Sequence, residues 1–110
     1  MAKAKYWQSG ESLDYKNSTG ATIEANTVVV FGTKIGIVGC DIPAGEVGSL
    51  HVKGVFAFPI SSEAITAGAA VYWDATNSVI TATSTNNTLA GYAVDSVAAT
   101  DTEILVNINA

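Results

Sequence analysis

The chain has 110 residues and a mass of 11.3 kDa, which is the size of one domain. Hydrophobic residues make up 48% and charged residues only 14%, against about 25% charged in an average domain, so a core can form and disorder is excluded. Ten acidic residues face five lysines with no arginine, and this balance argues against binding of nucleic acid, which draws on clustered Lys and Arg.

The first five residues are positively charged, but no apolar run follows them, so no signal peptide is predicted. The longest strictly aliphatic or aromatic run covers residues 28–31, far below the ~18 residues that a membrane helix needs. The sequence therefore predicts a protein that is made in a cytoplasm and has no membrane partner.

Apolar residues recur with a period of two, and Gly, Asn and Ser interrupt them every eight to twelve residues. The clearest stretch is 47–60, where Leu50, Phe56 and Phe58 share one parity and Gly54 marks a bulge or bend. A short strand is also predicted around Leu13 and Tyr15. Further strands are predicted at 26–31, 34–38, 70–74, 78–83, 89–97 and 104–109.

A short motif, Ile-x-Ala-Gly/Asn, occurs at 23–26, 42–45 and 65–68, each time shortly before a β-rich run. Gly and Asn tolerate positive φ, so the fourth position is predicted to be a left-handed turn residue and the isoleucine to enter the core. Coincidence in a chain rich in Ala and Gly is the alternative reading.

The strands and turns together predict an all-β fold: a single small antiparallel β-sandwich or barrel, with a jelly roll among the possibilities. At most one short helical turn is expected, near 61–64.

Residues for catalysis are few. His51, the only histidine, lies on the polar face of a strand and has no Cys or Ser signature beside it, and Cys40 is expected to be a small buried thiol. Neither a P-loop nor a calcium loop is present. We therefore predict no enzyme activity, no metal and no cofactor.

The aromatic residues are the remaining candidates for a protein interface. Residues 1–10 are predicted to form an N-terminal arm that carries Lys3, Lys5, Tyr6 and Trp7, while 11–110 form the single β domain. The arm has a charge of +2, and the domain, with three lysines against ten acids, has −7, which favours docking between neighbouring copies. An arm folded over its own domain is equally compatible with the sequence.

Tyr72 is the fifth candidate interface residue. It is predicted to lie on the opposite face of its strand from Trp73, which is the better core residue.

Several blocks in this order and spacing resemble the DUF2190 family of small tailed-phage and prophage proteins. They are 10–15, 42–49, 54–59, 65–74, 90–94 and 104–109. The resemblance implies a capsid decoration (cement) protein that adds to the outside of the assembled head and bridges major capsid protein subunits. It also implies a virion location and a homo-oligomer, either a dimer or a trimer.

Some members of that family carry a label as recombinases of the RecA/RadA type, which the missing P-loop and the missing arginine contradict here. Two positions depart from the family pattern: Ile60 stands where lysine is common, and the last strand, often basic, is apolar and amide-rich. The alternative function is a β-sandwich displayed on the virion that binds a host-surface glycan, with Tyr72 or Trp7 stacking on sugar rings.

Overall fold

The computed structural model describes residues 2–6 and 10–110, and this part of the chain contains nine β-strands and no helix. The all-β prediction is confirmed. The strands are β1 (Ser12–Lys16), β2 (Val28–Phe31), β3 (Lys34–Val38), β4 (Val47–His51), β5 (Val55–Pro59), β6 (Ala70–Asp74), β7 (Val79–Thr81), β8 (Thr88–Ala93) and β9 (Glu103–Ile108).

Two antiparallel sheets pack as a sandwich. The first sheet has four strands in the order β1-β4-β3-β2, and the second has five in the order β5-β9-β8-β6-β7. A parallel bridge joins Ile60, directly after β5, to Ile80 in β7, so the second sheet curls until its two edges meet. The fold is therefore a sandwich in which one sheet is rolled, so it combines features of the predicted sandwich and of the predicted barrel.

The predicted strand at 47–60 is two strands, and they belong to different sheets. The chain crosses between them at Gly54, which has a φ of +120°. Leu50 and Phe58 keep the common parity and are both buried, but they belong to separate cores. A period of two shows which residues point inward and does not show which sheet they join.

The remaining boundaries differ by a few residues. The strand predicted at 89–97 ends at Ala93, and the one at 78–83 is shorter, because turns follow both. The predicted helical turn at 61–64 is absent from the structure. Ser62 has a φ of +54°, and the Glu63 carboxylate accepts a hydrogen bond from the Ala82 N–H at 2.7 Å, which holds this loop against the end of β7.

The Ile-x-Ala-Gly/Asn motif is a recurring turn. Asn26, Gly45 and Gly68 have φ values of +70°, +79° and +84°, as predicted for the fourth position. Ile42 and Ile65 are buried, whereas the isoleucine of the first copy is half-buried.

A similar turn, without the positive φ at its fourth residue, begins at Val97, in a segment that was predicted to be a strand. Val97 forms an antiparallel bridge with Ile65, and the Asp101 N–H closes the turn on the Ala98 carbonyl at 3.0 Å. This turn lacks both the isoleucine and the Gly/Asn residue, so the motif could not reveal it.

The two halves of the chain share one topology. The order β1-β4-β3-β2 in the first sheet is repeated as β5-β9-β8-β6 in the second. An antiparallel bridge between two of the turns accompanies each sheet: Ile23 with Ile42 in the first half, and Ile65 with Val97 in the second. Among the strands of residues 2–6 and 10–110, β7 alone has no counterpart, so this part of the chain is an internal repeat with one additional strand.

The core has two clusters of buried residues. The larger one fills the curl of the second sheet and includes Ile35 and Ile37 from β3. The smaller one lies on the opposite face of the first sheet and has only Val38, Ile42 and Leu50 as fully buried members. The two halves therefore have unequal cores.

Hydrogen bonds to the Asp74 carboxylate shape the hairpin between β6 and β7. This carboxylate accepts hydrogen bonds from the Asn77 side-chain amide at 2.9 Å and from the N–H groups of Asn77 and Thr76. These bonds, that from the Asn77 side chain above all, hold the pKa of the Asp74 carboxyl below its ordinary value of 3.8.

Asp74→Asn is therefore expected to remove a stabilisation that depends on pH. Because the pKa is lower in the folded state, this stabilisation is present above the unfolded pKa and is lost as pH falls through the folded pKa. Thermal denaturation between pH 2 and 7 measures it: the Tm difference between wild type and variant should shrink towards acid pH. A difference that is constant with pH would contradict the prediction, and Asp95→Asn serves as the control at an exposed site.

Candidate docking surface

The outer side of the second sheet is apolar and exposed. Alternate residues of its strands enter the core, and the residues between them face outward. We call this surface the outer apolar face; its members are Val55, Ala57, Tyr72, Leu89, Tyr92, Val94 and Leu105. Val55, Leu89 and Leu105 have 52%, 44% and 38% of their surface exposed.

Strand register places these side chains side by side. Ala57 lies opposite Leu105, and the Val94 N–H donates to the Leu105 carbonyl at 2.9 Å, so residues from β5, β9 and the end of β8 form a row. Next to it, the Asn107 side-chain amide donates to the Tyr92 hydroxyl at 2.9 Å, which orients that ring on the face. The row is therefore continuous across neighbouring strands.

A β-bulge allows both Leu89 and Tyr92 to face outward although they are three residues apart. The register between β6 and β8 shifts near Gly91, which has a φ of +150°. A Cβ atom at this position would collide with the Asn107 carbonyl oxygen, so glycine is required. The bulge thus adds an aromatic residue to the outer apolar face.

None of the seven residues of the outer apolar face is charged, and Lys34 lies at its border, where it lines a cavity together with Tyr72 and Leu89. The nearest carboxylates of the second sheet, Asp74 and Glu103, lie at strand ends. Monomeric soluble proteins rarely expose large contiguous apolar patches, and those that they do expose mark sites of interaction. The first sheet has two exposed large apolar side chains, and they lie apart: Val47 of β4, which is paired with Lys16, and Val30 of the edge strand β2.

The predicted interface residues fall at different places. Lys3, Lys5 and Tyr6 are exposed and belong to no strand, while Trp7 lies outside the described residues. Tyr72 lies on the outer apolar face, opposite Leu89. Its participation in a protein interface stays a prediction.

The prediction that Trp73, next to Tyr72, is a core residue is confirmed. Trp73 is only 7% exposed and packs in the core, with its ring centroid 5.9 Å from that of Phe58.

Leu89, Tyr92 and Leu105 are exposed on this face but were not among the interface residues predicted from the sequence. Leu105 had a usable signal, since it alternates with Ile104 and Val106 and therefore faces away from the core. Tyr92 had none, because its outward direction depends on the bulge at Gly91.

His51 and Cys40, the two residues considered for catalysis, lie in different environments. His51 is half-buried, and its Nδ1 lies 2.8 Å from the Ser12 hydroxyl. The prediction that Cys40 is buried is wrong: it follows the end of β3 in a loop and is exposed, because the inward alternation stops with the strand. Within residues 2–6 and 10–110, no three His, Cys, Asp or Glu side chains are grouped so as to hold a metal ion.

None of the elements that the structure describes is a helix able to cross a membrane. The described surface thus combines a rigid β fold with an uncharged apolar face. Such a face is typical of the class of structural proteins that work by binding another protein.

Residues 7–108 match the model of the family described as phage cement protein, and the chain belongs to that family. No curated protein matched the chain in a search, and no solved structure matched it either. The family is structural and non-enzymatic, and membership implies decoration of the phage capsid and a location on the virion. The recombinase label is thereby set aside.

Proposed function

We propose that this protein binds the outside of the assembled phage head and bridges neighbouring major capsid protein subunits through the outer apolar face. The observation that carries the proposal is the row of exposed, uncharged side chains across β5, β9 and β8, which includes Leu105 and Val94. Burial of such side chains at an interface stabilises the complex in proportion to the apolar area removed from water.

The shape of the molecule supports bridging. Its extents are 44 × 42 × 22 Å, so it is a thin plate. A plate that lies flat on the head presents a broad surface with little height. It can therefore contact two capsid subunits at once and would protrude little from the surface of the head.

We also propose that residues 1–10 act as an arm beside the β domain of residues 11–110, and that the arm joins copies into a dimer or trimer. The support is electrostatic: the arm has two lysines and no acid, whereas the domain has three lysines and ten acids. Lys3 and Lys5 are exposed, so they are accessible to an acidic neighbour.

Sedimentation tests both proposals. Purified protein is mixed with undecorated expanded heads and centrifuged, and we expect saturable co-sedimentation with a fixed number of copies per head. Absence of binding at saturating protein would refute the decoration proposal. A variant that lacks residues 1–10 should bind more weakly or lose its oligomeric state in light scattering, and unchanged values for both would remove the arm from the interface.

A further inference from the structure

The first sheet lacks one strand that the second sheet has. In the second sheet, β7 pairs with β6 and places Ile80, fully buried, opposite Trp73. The counterpart of β6 in the first sheet is β2, and β2 pairs only with β3 within the described part of the chain. Among residues 2–6 and 10–110, no strand pairs with the other edge of β2, and a cavity lined by Asn26, Val28 and residues 56–59 lies beside it.

The core beneath this edge is incompletely buried. Trp73 and Val71 of β6 are buried, whereas Phe31 and Val29, at the same positions of β2, are only half-buried. Likewise, Phe58 of β5 is buried, whereas its counterpart in β1, Tyr15, is only half-buried. Because β7 covers the core in one half and no described strand covers it in the other, the difference in burial is the one expected from the missing strand.

An apolar groove lies where the missing strand would place its side chain. Leu13 of β1, Phe31 of β2 and Val52 line it, so it lies between the two edge strands of the first sheet. Ile80 of β7 is paired with Trp73, and Phe31 holds the corresponding position in β2. A strand added beside β2 in the manner of β7 would therefore place one side chain over Phe31.

The exposed backbone of β2 can accept such a strand. The Thr27 carbonyl accepts the Val38 N–H, so the odd-numbered residues of this segment turn their backbone groups towards β3. The backbone groups of Val28 and Val30 then point to the open edge. No charged residue interrupts β2, and charges or proline are the usual devices that keep an edge strand from pairing.

Lysines surround the groove although the domain is acidic. Lys34 and Lys53 line it, and they are two of the three lysines in residues 11–110. The N-terminal arm, with Lys3 and Lys5, has the wrong charge for this groove. A segment with acidic residues at its ends is complementary to it.

We propose that β2 accepts an extended segment of the major capsid protein as a fifth strand, with one large apolar side chain in the groove and acidic residues near Lys34 and Lys53. The choice of partner rests on the proposed function, whereas the acceptor edge follows from the internal repeat. Main-chain hydrogen bonds supply the affinity in this mode of binding, and the groove supplies the specificity.

The probe is a synthetic peptide with the sequence from Ser78 to Ala82, the strand that fills this place in the second sheet, and one aspartate added at each end. It is titrated into the ¹⁵N-labelled full-length protein. We expect saturable shifts of the Val28 and Val30 amides and at least about tenfold slower hydrogen exchange at both. The same peptide N-methylated at alternate amides should give no shift, because it cannot form the ladder.

Two protein variants sharpen the test. Val30→Pro removes an outward N–H and should weaken peptide binding at least about tenfold, while Asp14→Pro, on the other edge of the sheet, should leave it unchanged. Lys34→Glu combined with Lys53→Glu leaves the backbone intact. It should weaken the acidic peptide roughly fivefold and favour a version with lysines at its ends.

Three results would overturn the acceptor edge: no shift at Val28 and Val30 with millimolar peptide, slow exchange of both amides before peptide is added, or shifts confined to the outer apolar face. Head binding separates this inference from the proposed function. If Val30→Pro sediments with heads as wild type does, the capsid protein is not the source of the added strand, and the proposal that the protein decorates heads still stands. Wild type that binds the peptide and not the heads would refute decoration and leave the acceptor edge intact.

Discussion

Leu105→Asp is expected to lower the affinity for undecorated heads at least about 100-fold. Leu105 lies at the centre of the row between Ala57 and Val94, and its side chain is 38% exposed in the free protein. An aspartate there would lose its water on docking and would find no cation among its neighbours on the outer apolar face. Co-sedimentation over a range of protein concentrations measures the effect.

Val47→Asp is the matched control for this experiment. Val47 is also a strand residue and is more exposed, at 61%, but it lies on the first sheet opposite Lys16. It should sediment with heads as wild type does. Both variants should keep the wild-type Tm, since neither removes a buried side chain. Equal head binding by Leu105→Asp and wild type would exclude the outer apolar face as the contact.

Asn17→Ala is expected to destabilise the fold by about 2 to 4 kcal/mol. Asn17 is fully buried, and its side-chain amide donates to the carbonyls of Ala21 and Ile42 at 2.6 and 2.7 Å. Its side-chain oxygen accepts the N–H and the hydroxyl of Thr19 at 2.9 and 2.6 Å. Alanine would remove these four hydrogen bonds together with the buried amide that links residues 19–21 to the Ile42 carbonyl.

Urea denaturation measures this loss, with Ser18→Ala as the control at the adjacent exposed position. Asn17→Asp keeps the size of the side chain but turns two donors into acceptors that face carbonyl oxygens, so it should be at least as destabilising at neutral pH. The loss should be smaller at acid pH, where the protonated carboxyl can donate one hydrogen bond. A change in unfolding free energy below about 0.5 kcal/mol for Asn17→Ala would show that the network contributes little.

The sequence alone was sufficient for the fold class and for most strand positions, because period-two alternation records which side chains are buried. It was also sufficient for the turns at Asn26, Gly45 and Gly68, because positive φ selects Gly and Asn locally. It failed at Val97, where a similar turn needs no positive φ and is held by a bridge to Ile65 and by the Asp101 carboxylate, which accepts the Ala98 N–H.

The candidate site was predictable only in part. Tyr72 was found because its parity is opposite to that of Trp73, and the same reasoning applied to Leu105 would have succeeded. Tyr92 could not be found in this way, because the bulge at Gly91 breaks the alternation on which the reasoning depends.

By itself, the sequence determined a small β domain through its period-two alternation, and its charged fraction of 14% left too few charged residues to cover the apolar surface. Only the tertiary structure decided where that surface lies. Pairing between strands far apart in sequence gathers Val55, Leu105 and Tyr92 on one face, buries Asn17, and leaves β2 at an open edge. The reason is physical: alternation and turn preference act between neighbouring residues, whereas strand order depends on contacts that form only when the whole chain has folded.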